Sequence, residues 1–131
     1  MTRLTILLVA ALLVLTTAAC RQPTTKQVKL SEKDAGRTVQ LPAGGTLEVV
    51  LEGNPTTGYL WEAAAGDTAI IRQEGEAQFK PDTTALGSPG KMTLRFTGVA
   101  AGQTVLKLIY HRPFEKNVPP SKTFEVTVVV K

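Results

Sequence analysis

The most constraining feature of the sequence is a two-residue alternation of apolar and polar side chains that recurs after residue 45. In KMTLRFT, residues 91–97, every second residue is large and apolar. Residues 46–52 and 124–130 repeat this pattern, and residues 103–111 are apolar on both faces apart from one lysine. Successive side chains of a β-strand point to opposite faces of its sheet. These segments therefore predict half-buried strands, with residues 103–111 in the centre of a sheet.

Clusters of Gly, Pro, Asn and Asp separate these segments, which is typical of an all-β sandwich or barrel. The predicted strands are residues 45–52, 59–64, one stretch between 69 and 80, 91–98, 103–111 and 122–131. The only helix that the pattern allows is a single turn around Ala63 to Ala69.

The directions of the predicted strands place three connections together. Successive strands of an antiparallel sandwich alternate in direction, so the connections after residues 52, 80 and 111 emerge at the same end. This prediction requires residues 69–80 to behave as one strand. Glu74-Gly75-Glu76 is the place where that segment would split into two strands and break the alternation.

The first 20 residues have the layout of a secretory signal peptide: the basic Arg3, an apolar stretch over residues 4–15, and small residues up to Cys20. The apolar stretch is shorter than the ~20 residues that a bilayer-spanning helix requires. TAAC, residues 17–20, resembles the lipobox of bacterial lipoproteins, in which the cysteine is lipidated. The alternative is plain cleavage near this point, which would leave or remove a free thiol at Cys20.

We therefore expect a lipoprotein signal peptide over residues 1–20, a flexible tether over residues 21–27 and a folded domain over residues 28–131. Arg21 follows the cysteine, and by similarity to Gram-negative lipoproteins this favours the outer membrane. The expected location is the bacterial cell envelope, with the anchored domain facing the periplasm. A monomer is expected.

Composition excludes several kinds of site. Cys20 is the only cysteine, so a lipidated chain has no thiol left for disulfides, thiolate catalysis or metal ligation. His111 is the only histidine, which excludes a His-rich metal site and disfavours a Ser-His-Asp triad. The net charge is +4, and the charges are interspersed without a basic stripe, which disfavours nucleic-acid binding. We expect no cofactor, no metal and no enzymatic activity.

The first of the three connections, NPTTGY, contains residues that fix the backbone. Pro55 restricts φ and removes a hydrogen-bond donor, and Gly58 can adopt the positive φ that a threonine avoids. Asn54 can form an Asx turn with its own backbone. Thr56 and Thr57 then form a short, stiff, uncharged tip.

The other two connections are similarly restricted. Residues 87–90, GSPG, let the backbone approach a partner closely, and HRPFE places Phe114 after a proline and near Arg112. Taken singly, these motifs are most often a turn, a flexible connection and a strand end whose Phe packs into the core. Three stiff loops at one end of a sandwich are instead typical of a binding surface.

In this order and with these intervals, NPTTGY, GSPG and HRPFE resemble the chagasin-like inhibitors of cysteine peptidases. The resemblance spans roughly Leu41 to Lys131. It implies an immunoglobulin-like antiparallel β-sandwich whose three loops straddle the active-site cleft of papain-like peptidases, which would be inhibited reversibly and tightly. The alternative is an envelope lipoprotein β-sandwich with a structural or adhesive role and no peptidase target.

The resemblance also assigns peptidase-binding residues by position. The wedge that enters the cleft would be Asn54, Pro55, Thr56, Thr57, Gly58 and Tyr59. One wall of the cleft would meet Gly87, Ser88, Pro89 and Gly90, and the other wall Arg112, Pro113 and Phe114. We expect Tyr59 to anchor the base of the wedge, and Phe114 stands where the family often has Trp.

Overall fold

The structure is a computed structural model that describes residues 26–131. The predicted signal peptide over residues 1–20, its lipidated Cys20 and all but the end of the predicted tether over residues 21–27 lie outside the described residues. The tether prediction is wrong at Gln27, because this residue already pairs with a neighbouring strand. Within residues 26–131, no helix is long and apolar enough to cross a membrane.

Between residues 26 and 131, nine strands form two packed sheets. The first sheet has the order β1 (Gln27–Ser31), β3 (Thr46–Gly53), β7 (Gly90–Gly98) and β5 (Ile71–Gln73), with β6 (Gln78–Pro81) also paired to β7. The second sheet has the order β2 (Thr38–Leu41), β9 (Lys122–Val130), β8 (Gly102–His111) and β4 (Leu60–Ala65). Single turns of 3₁₀-helix occur at Glu32–Asp34 and Pro55–Thr57.

The predicted all-β sandwich is confirmed, and β8 is central in its sheet as its two apolar faces predicted. Most strand pairs are antiparallel, but β1 pairs with β3 and β2 pairs with β9 in parallel. No strand was predicted before residue 45. These two strands have five and four residues, and although QVKLS and TVQL both alternate, two apolar residues in each are too few to predict a strand.

The segment over residues 69–80 divides into two strands without a change of direction. β5 pairs with the end of β7 near Gly98, and β6 pairs with the other end near Gly90. Both are antiparallel to β7, so they lie in line along the same edge. The split at Glu74-Gly75-Glu76 therefore occurs, yet the predicted grouping of the three connections is retained.

The helical turn predicted around Ala63 to Ala69 is wrong. Ala63 and Ala65 belong to β4 and pair with β8 on either side of a register shift. The chain then turns at Asp67, whose carboxylate accepts a hydrogen bond from Ala69 N at 2.9 Å. Pairing with a central strand thus outweighs the helix propensity of the alanine run.

The core lies between the two sheets and follows the alternation in the sequence. Met92, Leu94 and Phe96 of β7 all point inward and are at most 2% exposed. Trp61 and Tyr110 close the core at the end where the three connections emerge. This end is therefore supported by large, buried aromatic side chains.

Candidate functional site

Three loops meet at one end of the sandwich, which we call the loop end. They are the first loop (residues 54–59), the second loop (residues 82–89) and the third loop (residues 112–121). Asn54 Nδ2 donates a hydrogen bond to Gly87 O at 3.1 Å, and Arg112 Nε donates one to Thr57 O at 3.0 Å. The first loop therefore lies between the other two and is braced from both sides.

The first loop is fixed by its own hydrogen bonds. Asn54 Oδ1 accepts from Thr56 N at 3.2 Å, which is the predicted Asx turn, and Asn54 O accepts from Thr57 Oγ1 at 2.6 Å. Pro55 begins the helical turn, and Gly58 ends it with φ of 86°. Thr56 and Thr57 are exposed at its tip. This loop is a stiff projection without a charged side chain.

An aromatic stack supports the base of the first loop. The ring centroids of Tyr59 and Tyr110 are 5.1 Å apart, and Trp61 packs against Tyr110 at the same distance. The Tyr110 hydroxyl accepts a hydrogen bond from Asn54 N at 2.8 Å, and Arg112 Cζ lies 4.5 Å from the centre of the Tyr59 ring. The half-buried Tyr59 therefore has the position expected of a base residue.

The third loop presents an aromatic side chain beside the tip. Phe114 is 71% exposed, which rules out a place in the core. A Cβ atom added to Gly58 would lie 2.9 Å from Phe114 Cε1, so the ring rests on the glycine. Arg112 Nη1 contacts Glu115 Oε1 at 2.9 Å. The hydrogen bond to Glu115 raises the pKa of the Arg112 guanidinium, a group that is charged at any ordinary pH.

Of the contact residues predicted in the second loop, some are exposed and others are buried. Gly87 and Pro89 are exposed, whereas Ser88 is only 7% exposed. The Ser88 hydroxyl donates to Pro89 O at 2.8 Å and accepts from Thr83 N at 3.2 Å. Ser88 thus holds the loop in shape instead of facing outward.

Gly90, the fourth residue predicted in this loop, belongs to β7 and is buried. It pairs with Gly53 on one side and with Pro81 on the other. A Cβ atom at Gly90 would lie 2.1 Å from Lys80 O. Glycine is therefore required there by the close approach of β6, not by a partner molecule.

Leu86 is a candidate contact that the sequence reasoning missed. Its side chain is fully exposed, with a relative accessibility of 103%, and it lies in the second loop next to Gly87. The available signal was one large apolar residue within the otherwise polar stretch PDTTALGSPG. Together with Phe114, it places an exposed apolar side chain on each side of the first loop.

The site offers no catalytic arrangement. His111 Nε2 lies 2.6 Å from Glu62 Oε2, which joins the last residue of β8 to β4. Within residues 26–131, no group of three or more His, Cys, Asp or Glu residues is placed to hold a metal ion. The loop end is suited to insertion into, and contact with, a concave partner.

A β-sandwich that carries three mutually braced loops at one end has the architecture of immunoglobulin-like binding proteins. The family model described as "Chagasin family peptidase inhibitor I42" matches residues 40–128, and the chain belongs to this family. The family consists of peptidase inhibitors and not of enzymes.

Individual relatives extend the match over nearly the whole described domain. Amoebiasin-1 of Entamoeba histolytica is 30% identical over 106 residues, which are 79% of this chain and 100% of that protein. The crystal structure of the cysteine protease inhibitor EhICP2 from Entamoeba histolytica has a TM-score of 0.71 at 24% identity, covering 84% of this chain and 100% of that one. PbICP-C, solved in complex with falcipain-2, has a TM-score of 0.57 at 24% identity, covering 81% and 99%.

Proposed function

We propose that the chain is a reversible, tight-binding inhibitor of papain-like cysteine peptidases and that the loop end is its inhibitory surface. Family membership supports inhibition of a peptidase. The observation that carries the assignment of the surface is the bracing of the first loop by Asn54 and Arg112 to the loops on either side. Such a surface is already ordered before the partner arrives, which lowers the entropy cost of binding.

The first loop has the properties of a wedge for a narrow cleft. Thr56 and Thr57 are small, exposed and uncharged, so their burial requires no charge to be removed from water. Pro55 and the Asx turn of Asn54 fix the backbone that carries them. The wedge can therefore approach a catalytic cysteine without a large desolvation or ordering cost.

The same geometry explains how the wedge resists cleavage. Thr57 N donates to Asn54 O at 3.1 Å, and Gly58 N donates to Pro55 O at 3.0 Å. Thr57 O is held by Arg112 Nε. A peptidase acts on an extended peptide whose carbonyl is free to enter the oxyanion hole. The carbonyls of Asn54, Pro55 and Thr57 instead accept hydrogen bonds within the loop end.

The remaining predicted residues divide into contacts and supports. On one side, Gly87 and Pro89 contact the peptidase, joined by Leu86. On the other side, Pro113 and Phe114 provide the contact. The supports are Tyr59, Ser88, Gly90 and Arg112, which hold the loops in position.

We further propose that Cys20 is lipidated and anchors a monomeric inhibitor to the bacterial envelope, at the outer membrane and facing the periplasm. The support is the sequence TAAC at the end of an apolar leader, together with the absence of any other cysteine from the chain. The tether between Cys20 and the first strand is polar and lacks periodicity. It suits a connection between membrane and domain.

A titration of papain with the purified protein tests the inhibitory function. We expect reversible inhibition at a one-to-one ratio, with the inhibitor intact on a gel after prolonged incubation. No inhibition of papain or of several related peptidases would favour the structural or adhesive alternative. Progressive cleavage within residues 54–59 would show that the first loop binds as a substrate.

A further inference from the structure

The described chain begins at the end of the sandwich opposite to the loop end. Lys26 O accepts a hydrogen bond from Thr46 N at 3.2 Å, and Thr46 is the first residue of β3. The last residue of β3 is Gly53, after which the first loop begins. The chain therefore enters the domain at one end of β3 and presents its wedge at the other.

We call the end at Lys26 the tether end. The connections over residues 42–45, 66–70 and 99–101 also lie at the tether end. Gly44 N donates to Gly98 O at 2.8 Å, and Val99 N donates to Ile70 O at 2.7 Å. These bonds place the three connections together, as a surface directed away from the loops.

The length of the tether restricts how an anchored domain can be oriented. From Cys20 to Lys26, even a fully extended chain spans at most about 21 Å. β3 has eight residues and is about 25 Å long, and the first loop projects beyond its end. A domain turned with its loops toward the bilayer would hold Lys26 farther from the membrane surface than the tether can reach.

We propose that the anchored protein holds its tether end at the membrane and presents the loop end to the aqueous phase. This inference rests on the lipidation of Cys20 proposed above. It identifies the partner further, as a peptidase that approaches from solution with its cleft open toward the membrane. A peptidase whose cleft lies flat against the same bilayer is excluded as a partner.

Resonance energy transfer from a dye on the protein to a labelled lipid tests the orientation of the domain. The full-length lipidated protein is placed in liposomes that contain an acceptor-labelled lipid, and a donor dye is attached to one introduced cysteine. Ala101→Cys labels the tether end, and Ala85→Cys labels the second loop; both positions are exposed. The lipid on Cys20 blocks the only native thiol. We expect several-fold more efficient transfer from the dye at position 101.

A longer tether is the matched control. Inserting about 20 Gly and Ser residues between Arg21 and Lys26 should bring the two transfer efficiencies closer together, because the tether then exceeds the length of the domain. Equal transfer from both dyes at the native tether length, or stronger transfer from position 85, would overturn the proposal. An unchanged ratio with the longer tether would also overturn it, since tether length would then not set the orientation.

The lipid anchor and the inhibitory function can be tested separately. A protein that does not float with liposomes in a density gradient lacks the anchor, and this result overturns the orientation while leaving inhibition untouched. Papain inhibition measured in detergent tests the proposed function alone. Loss of inhibition there, with the expected pattern of energy transfer, would reject the function and retain the orientation.

Discussion

The two ends of the sandwich differ in the hydrogen bonds that join one connection to another. At the tether end, Gly44, Gly45 and Gly98 are joined by backbone-to-backbone bonds of 2.8–3.0 Å. At the loop end, side chains make the connections between loops: Asn54 to the second loop and Arg112 to the first. The tether end is therefore an extension of the strand ladder, whereas the shape of the loop end depends on individual side chains.

This difference separates stability from function. A backbone ladder tolerates exchange of its exposed side chains, so substitutions at the tether end should leave the loop end unchanged. Substitutions at the loop end should alter the wedge or its contacts while both sheets remain folded. Paired variants at the two ends can therefore test whether the inhibitory surface is confined to one of them.

The largest effect is expected from Gly58→Glu. Both Gly58 and Gly44 have positive φ, 86° and 79°, so a side chain at either position adds about 1–2 kcal/mol of backbone strain. Only at Gly58 does the new side chain also collide with Phe114. We expect Gly58→Glu to weaken papain inhibition about 100-fold or more.

Gly44→Glu is the matched control, because nothing lies within 4 Å of a Cβ atom at that position. Thermal unfolding should show a similar loss of stability in both variants, with inhibition retained in Gly44→Glu. Equal losses of inhibition from the two would mean that strain alone, and not the wedge, accounts for the effect.

Phe114→Ala should have the next largest effect. The ring is 71% exposed in the free protein, so its removal should not change the unfolding temperature. An aromatic anchor buried in a complex contributes about 1–3 kcal/mol of binding free energy. The inhibition constant of the variant for papain should therefore be higher than that of the unmodified protein. An unfolded variant would contradict the role of the ring as an exposed contact residue.

A smaller loss is expected from Leu86→Ala. Burial of this exposed side chain against a peptidase should contribute about 1 kcal/mol, or roughly a fivefold change in the inhibition constant. Val99→Ala at the tether end provides the comparison, because Val99 is 45% exposed and lies on the opposite surface. If the two variants inhibit papain equally well, Leu86 is not a contact residue.

Ser88→Ala should affect binding least. The variant leaves Thr83 N without its hydroxyl acceptor, which costs about 1 kcal/mol of the free energy of unfolding. Inhibition at a temperature where the protein is folded should change by no more than about twofold. A lower unfolding temperature with normal inhibition would support a structural role, and a loss as large as that of Gly58→Glu would contradict the wedge.

The sequence was sufficient to predict the main strands, because alternate side chains of a half-buried strand face the core and are therefore apolar. β7 is the best case, because its three large inward side chains, Met92, Leu94 and Phe96, were all identified from the pattern. β1 and β2 were missed because they are short: QVKLS and TVQL alternate, but each contains only two apolar residues, which is too few to identify a strand. Their parallel pairing depends on a crossover between the sheets, which no local pattern encodes.

The site was predictable in position but only partly in detail. Pro55 and Gly58 carry their conformational preferences in their own chemistry, so the stiffness of the first loop and the positive φ at its end could be predicted, whereas the helical turn over Pro55–Thr57 could not. The inward direction of Ser88 and the outward direction of Leu86 did not, because side-chain direction in an irregular loop depends on contacts with other segments. The bracing by Arg112 likewise joins residues 55 positions apart.

The most direct test of the account is the inhibition of papain by Thr57→Lys compared with Thr68→Lys. Both threonines are exposed, one at the tip of the first loop and the other at the tether end. We predict that Thr57→Lys weakens inhibition by at least about 100-fold, because a long charged side chain cannot enter a narrow cleft without losing its hydration. Thr68→Lys should inhibit like the unmodified protein. Normal inhibition by Thr57→Lys in a folded variant would contradict the claim that the first loop is the inhibitory wedge.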